Sequence, residues 1–113
     1  MISNIEIYKK VKEETGFEPN ERFCNDVEKI IEEVENGDIR DLVGMYVSVE
    51  ELNASFAIMS DRHSYDYDNA DCLSTNGNGT LSQLFVNYQN REYKITVNGL
   101  SGNPIVENVE LKN

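Results

Sequence analysis

Residues 20–37 read NERFCNDVEKIIEEVENG. Phe23, Val27, Ile30, Ile31 and Val34 stand at i, i+4, i+7, i+8 and i+11, the spacing of one face of a 3.6-residue helix. Asn20 precedes the run as a cap and follows Pro19, which breaks any pattern before it. Asn36-Gly37 closes the run, so this stretch predicts one amphipathic helix with defined ends. Far downstream, Tyr93, Ile95 and Val97 alternate with Lys94 and Thr96. That period of two belongs to a strand with one buried and one wet face. The change of period along the chain decides the fold class: α+β, with N-terminal helices packed on a small C-terminal antiparallel β-sheet of three or four strands.

Working outward, Ser3 or Asn4 can cap a first helix with an apolar stripe of Ile5, Tyr8 and Val11, stopped by Gly16. Residues 39–46 form a short apolar stretch, helix or strand, interrupted by Gly44. Ser48-Val49-Glu50-Glu51 matches a capping box, in which hydroxyl and carboxylate satisfy two orphan amides reciprocally. It opens a helix through Leu52, Phe56 and Met59. From Asp61 to Gly79 the chain turns polar, a loop or edge strand, and Asn76-Gly77-Asn78-Gly79 marks a turn. Leu81–Tyr88 and Tyr93–Val97 read as a hairpin across Gln89-Asn90-Arg91, with Ile105–Leu111 as a third strand. The whole reads as a single domain, residues 1–113: mainly helical over 1–60, polar loop or edge strand over 61–80, and strands over 81–113.

Twenty-one acidic residues face ten basic ones, a formal net charge of −11 on 113 residues. Phosphate binding draws on Lys and Arg whose counterion release drives association, so direct nucleic-acid binding is not expected. An anionic membrane surface is excluded on the same ground, and no apolar run is long enough to span a bilayer. The N-terminal residues lack the basic start and apolar stretch of a secretory signal, which points to the cytoplasm. Cys24 and Cys72 are therefore expected as free thiols. The natural complement is a protein with a basic groove, such as a nucleic-acid-acting enzyme.

Most of the charge lies in the helical half. Residues 1–60 hold 14 acidic and 6 basic residues, and residues 61–113 hold 7 and 4. Glu21, Glu28, Glu32 and Glu35 recur along the second helix, flanking its apolar stripe. One helical turn rises about 5.4 Å, so successive carboxylates can stand about as far apart as neighbouring phosphates on a strand. Asp26, Glu33, Asp38 and Asp41 would widen that surface. A second acidic patch, Asp61, Asp66, Asp68 and Asp71, is interleaved with Tyr65 and Tyr67, a composition suited to docking against Arg and Lys. The candidate partner-binding residues are Glu28, Glu32, Glu35, Asp66, Tyr67 and Asp68. The ordinary alternative is an acidic exterior that serves solubility alone.

No pattern fixes a chemistry. Asp66–Asp71 fails the calcium-loop spacing, because Ala70 and Asp71 fill its fifth and sixth positions and Gly77 its twelfth. His63, Cys24 and Cys72 have no zinc-ligand spacing, and His63 falls in the polar stretch. Carboxylate pairs are numerous, but sequence singles out none of them as a general acid and base. Neither a metal, a cofactor nor an enzymatic activity is expected.

In size, charge, Glu row, Asp/Tyr segment and α+β layout, the chain resembles small acidic phage-encoded anti-defence proteins, the anti-CRISPR inhibitors and antirestriction DNA mimics. The resemblance covers the chain at the level of class and matches no specific motif. It implies a stoichiometric inhibitor that blocks the nucleic-acid-binding surface of a defence nuclease, with no catalytic residues; the charged exterior itself favours a monomer over a homo-oligomer, although a hydrophobic sheet face could pair. Two other classes fit the same composition: an immunity protein that neutralises a bacterial nuclease toxin, and a plain acidic protein-interaction module.

Overall fold

The computed structural model describes residues 4–16, 18–63, 66–67, 71–74, 80–88, 91–99 and 102–112. Helices α1 (Asn4–Thr15), α2 (Glu21–Asn36) and α3 (Val49–His63) precede strands β1 (Asp66–Tyr67), β2 (Asp71–Ser74), β3 (Thr80–Tyr88), β4 (Arg91–Asn98) and β5 (Ile105–Leu111). A turn of 3-10 helix, Ile39–Leu42, links α2 to α3. The fold is α+β.

Helix α2 follows its sequence closely. The Asn20 side chain accepts a hydrogen bond from the Phe23 amide at 2.8 Å, tying down the first turn. Cys24, Val27, Ile30, Ile31 and Val34 are buried, and Phe23 is half-buried at the rim of the stripe. Cys24 is a free thiol, and burial pushes its pKa up. Gly37 ends the helix where a Cβ would collide with the Asp41 carboxylate. A side chain there would have to displace that carboxylate, which accepts from the Asp38 amide.

The capping box of α3 forms as expected. The Ser48 amide donates to Glu51 Oε1 at 2.7 Å, and the Glu51 amide donates to Ser48 Oγ at 3.1 Å. Leu52, Phe56 and Met59 are all fully buried. The helix runs further than its apolar stripe, so Asp61 and His63 are helical rather than part of a polar loop. In α1 the stripe shifts. Ile7 is fully buried and Val11 nearly so, whereas Ile5 is 68% exposed. Both isoleucines sit at helical spacing from Val11 or Tyr8, and the side that meets α2 decides between them. Gly16, at φ +79°, provides the left-handed stop, its amide bonded to the Lys12 carbonyl at 2.9 Å.

The sheet is antiparallel, in the order β1-β3-β4-β5, with β2 also paired to β3. Its five strands occupy four lateral positions, because β1 and β2 share one side of β3. Tyr67 opposes Val86 and Asp71 opposes Gln83, so that edge carries one residue more than β3 across the interval. Cross-strand partners on one face are buried together under the helices: Leu84 with Ile95, Val86 with Tyr93, Ser82 with Val97. The other face presents Gln83, Phe85 and Lys94, and Lys94 pairs with Glu110 at 3.2 Å. Thr96, expected on the wet face, is only 9% exposed. Strand β5 departs from strict alternation, for Val106 and Val109 are both buried although three residues apart. The register shift opposite Thr96/Val97 supplies the reason, since an extra residue turns the strand over. Val106 also holds the connection to α3. Its carbonyl accepts from Gly44 at 2.8 Å, and its amide donates to Met45 at 2.9 Å.

Among the described residues, no helix is long and apolar enough to cross a membrane.

Candidate functional site

Helix α2 sets two acidic surfaces apart. Successive residues turn by about 100°, which places Glu21, Glu28, Glu32 and Glu35 within about 60° of one another on one flank of the stripe. The row spans about 21 Å along the axis at 1.5 Å per residue. Glu21 and Glu35 are exposed, Glu28 and Glu32 half-buried. Among the described residues, Glu28 and Glu32 make no ion pair. Like charges at i, i+4 disfavour one another. The burial of Val27, Ile30, Ile31 and Val34 holds them in place nonetheless.

The proposed widening of this flank does not occur. Asp26 and Glu33 lie about 140° around the helix, on the opposite flank. Asp38 is bound by Arg40, whose Nε and terminal nitrogen donate to Oδ2 at 3.0 and 2.8 Å, and this contact lowers the Asp38 pKa. Asp41 Oδ2 accepts from the Asp38 amide at 2.9 Å. These two carboxylates hold the turn after α2 and are not part of the Glu row.

The remaining candidates belong to another element. Asp66 and Tyr67 form β1, at the sheet edge that packs against α3, and oppose Asn87 and Val86. Their side chains, and Asp68 altogether, lie outside the described residues, as do Tyr65 and the turn at 76–79. Glu28, Glu32 and Glu35 are thus brought together by one helix flank, and Asp66 and Tyr67 stand apart from it in the fold.

A site that sequence reasoning missed opens on the other flank of α2. A cleft of about 660 Å³ is lined by Arg22, Phe23 and Asp26 of α2, by Tyr46 and Glu51, and by the β4–β5 connection at Asn103. Glu51 is only 8% exposed, and it lines this cleft together with Asp26. Burial first, then the neighbouring Asp26 carboxyl, raises the Glu51 pKa to about 7. Arg22 reaches Asp26 only at 4.0 Å, with 86% of its side chain exposed. The Ser48-x-x-Glu51 motif placed Glu51 at the third position of its helix, but nothing in its own segment points to Asp26. That partner is supplied by the crossing of α2 and α3. No group of three or more metal-ligating side chains occurs among the described residues.

No protein family model, curated protein or solved structure matches this chain.

Proposed function

We propose that this chain is a non-enzymatic inhibitor that occupies the basic nucleic-acid-binding surface of a defence nuclease, as a nucleic-acid mimic. The observation that carries this reading is the row of Glu21, Glu28, Glu32 and Glu35 on a single flank of α2. A helix clamped to the core along its apolar stripe fixes the spacing of the backbone positions that carry those carboxylates, so no backbone ordering is needed on docking. The field of a net charge of −11 steers the approach to a basic groove. The carboxylates then replace phosphates without offering a scissile bond. Asp66 and Tyr67, on the edge strand beside α3, are the second candidate contact.

The test is capture of the partner from a bacterial lysate at low salt, followed by elution in a salt gradient. A nuclease retained by the wild-type chain, released by salt, competed by DNA or RNA and lost with the E28K/E32K/E35K variant supports the reading. A partner held equally by that variant, and indifferent to salt and nucleic acid, overturns it in favour of an ordinary interaction module.

A further inference from the structure

We propose that an apolar recess at the N-terminal end of the Glu row receives one apolar side chain of a basic partner segment, with that segment's cation lying over α2. The recess, of about 350 Å³, opens between α1 and the start of α2 and is lined by Ile5, Tyr8, Lys9, Pro19, Glu21 and Cys24. Pro19 and Cys24 are buried beneath it, and Ile5 at its rim is 68% exposed. Ile5 stands outside the core, to which α1 contributes Ile7 and Val11, with Tyr8 packed against it in part. An aliphatic side chain left in water beside an open apolar recess offers burial that an apolar guest would realise. The polar groups around it already have partners. Asn20 Oδ1 accepts from the Phe23 amide at 2.8 Å. Lys12 stands over the Tyr8 ring at 5.9 Å and pairs with Glu18 at 3.2 Å, joining α1 to the segment that carries Pro19.

Charge sets what the guest must be. Glu21 lines the recess and is the first acid of the row. Cys24, on the floor, is followed one turn later by Glu28, and Glu28 one turn later by Glu32. Residues four apart on a helix stand about 6 Å from each other, so the acidic row begins where the recess ends. Lys9 occupies the opposite wall, on α1, and repels a second cation there. The guest is therefore an apolar side chain with an Arg or Lys within about one helical turn of it, directed over Glu21 and Glu28. This rests on the reading of the Glu row as the partner-facing flank, and it adds a direction to that reading. A row of carboxylates alone can slide along a basic groove, whereas an apolar anchor at one end fixes its register.

Capped tripeptides titrated into the full chain at low salt, followed by methyl and aromatic NMR, test the recess without the nuclease. Leu-Arg-Arg is expected to shift Ile5 and Tyr8 in a saturable way. Ser-Arg-Arg should bind about 10-fold more weakly, having no apolar side chain to bury. Leu-Gln-Gln should bind about 3-fold more weakly, through the loss of exposed ion pairs. Ile5→Ser should abolish the preference for Leu over Ser, and the exposure of Ile5 lets that variant keep its fold. Absence of shifts at Ile5 and Tyr8, or equal binding of the Leu and Ser peptides, overturns the recess as a docking site. Equal binding of Leu-Arg-Arg and Leu-Gln-Gln overturns the basic partner. With a captured nuclease the two readings separate. Faster dissociation of the I5S chain at an unchanged association rate supports the anchor. A nuclease lost with E28K/E32K/E35K but released by I5S at the wild-type rate removes the anchor and leaves the Glu row standing. Failure to capture any nuclease, with Leu-Arg-Arg still saturating the recess, supports the anchor and overturns the nuclease.

Discussion

The two flanks of α2 carry the same residue types and put them to opposite physical use. On one flank the half-buried Glu28 and Glu32 have no ion-pair partner among the described residues, and their charge is available as a field. On the other, Asp26 lines a cleft with the buried Glu51, whose pKa burial raises to about 7, so that carboxyl projects less charge. About 140° of rotation separates the two. Formal charge counted along a sequence therefore overstates what a partner can sense, because a carboxyl buried as Glu51 is stays partly neutral near pH 7. What an acid does depends on what the neighbouring helix sets beside it.

The largest way to break this comparison is to remove the axis that keeps the flanks apart. Ile30 is fully buried in the α2 stripe. Ile30→Ala is expected to destabilise the chain by about 2–5 kcal/mol, through lost burial and a cavity the surroundings fill only in part. Urea unfolding measures it, and both the Glu row and the cleft lined by Asp26 and Glu51 should be disturbed together. A loss below about 1 kcal/mol would mean that the stripe is not what fixes the two flanks.

Next comes the field itself. The E28K/E32K/E35K variant changes the net charge from −11 to −5, because each reversal adds two positive charges. Against a captured basic partner, association at low salt should slow by about 10- to 100-fold, with dissociation less affected. The salt dependence of the association rate should flatten as well. Stopped-flow association at two ionic strengths separates these. The matching control on the other flank is D26N, which should leave association nearly unchanged because that carboxyl faces the cleft. Equal losses in both variants would erase the distinction between the flanks.

A smaller effect isolates the cap from the proton. Ser48→Ala removes the hydroxyl that accepts from the Glu51 amide at 3.1 Å. The cost should be about 1 kcal/mol at all pH values. The Glu51 pKa is raised from 4.5 to about 7, so the stabilisation from this group is present in full below about 4.5 and is lost as pH rises through about 7. Glu51→Gln keeps the cap oxygen and changes only that pH slope. Thermal melts at two pH values tell a lost cap, which lowers both, from a lost proton, which alters their difference.

The α2 stripe, its cap and stop, the Ser48–Glu51 box and the β3–β4 hairpin were legible because each depends on residues close in sequence. Periodicity and capping are local, and the chain states them directly. What escaped depends on neighbours far along the chain. Ile7 is buried and Ile5 exposed because α2 lies on one side of α1, which a short helix cannot announce. The turnover of β5 follows from its register with β4, and it buries Val109 as well as Val106. Asp26 and Glu51 are separated by 25 positions, and only helix crossing brings them together. The Glu row was visible since it lies on a single helix. That Asp26 and Glu33 fall on its far side follows from about 100° per residue, once the stripe is taken as the reference direction.

The smallest effect tests the exposed flank without reversing anything. Glu28→Gln deletes one charge from the row and keeps the shape of the side chain. Neutralising it relieves the i, i+4 repulsion with Glu32, so stability should rise by about 0.2–0.5 kcal/mol. The gain should shrink in high salt, because a repulsion between half-exposed charges is screened over about 8 Å at physiological ionic strength. Asp26→Asn gives the opposite signature, since a carboxyl inside a cleft is shielded by protein and little altered by salt. Urea midpoints for both variants at low and high salt compare the two flanks directly. A salt-independent gain for Glu28→Gln would place that carboxylate in the same buried regime as Glu51, and the contrast across α2 would collapse.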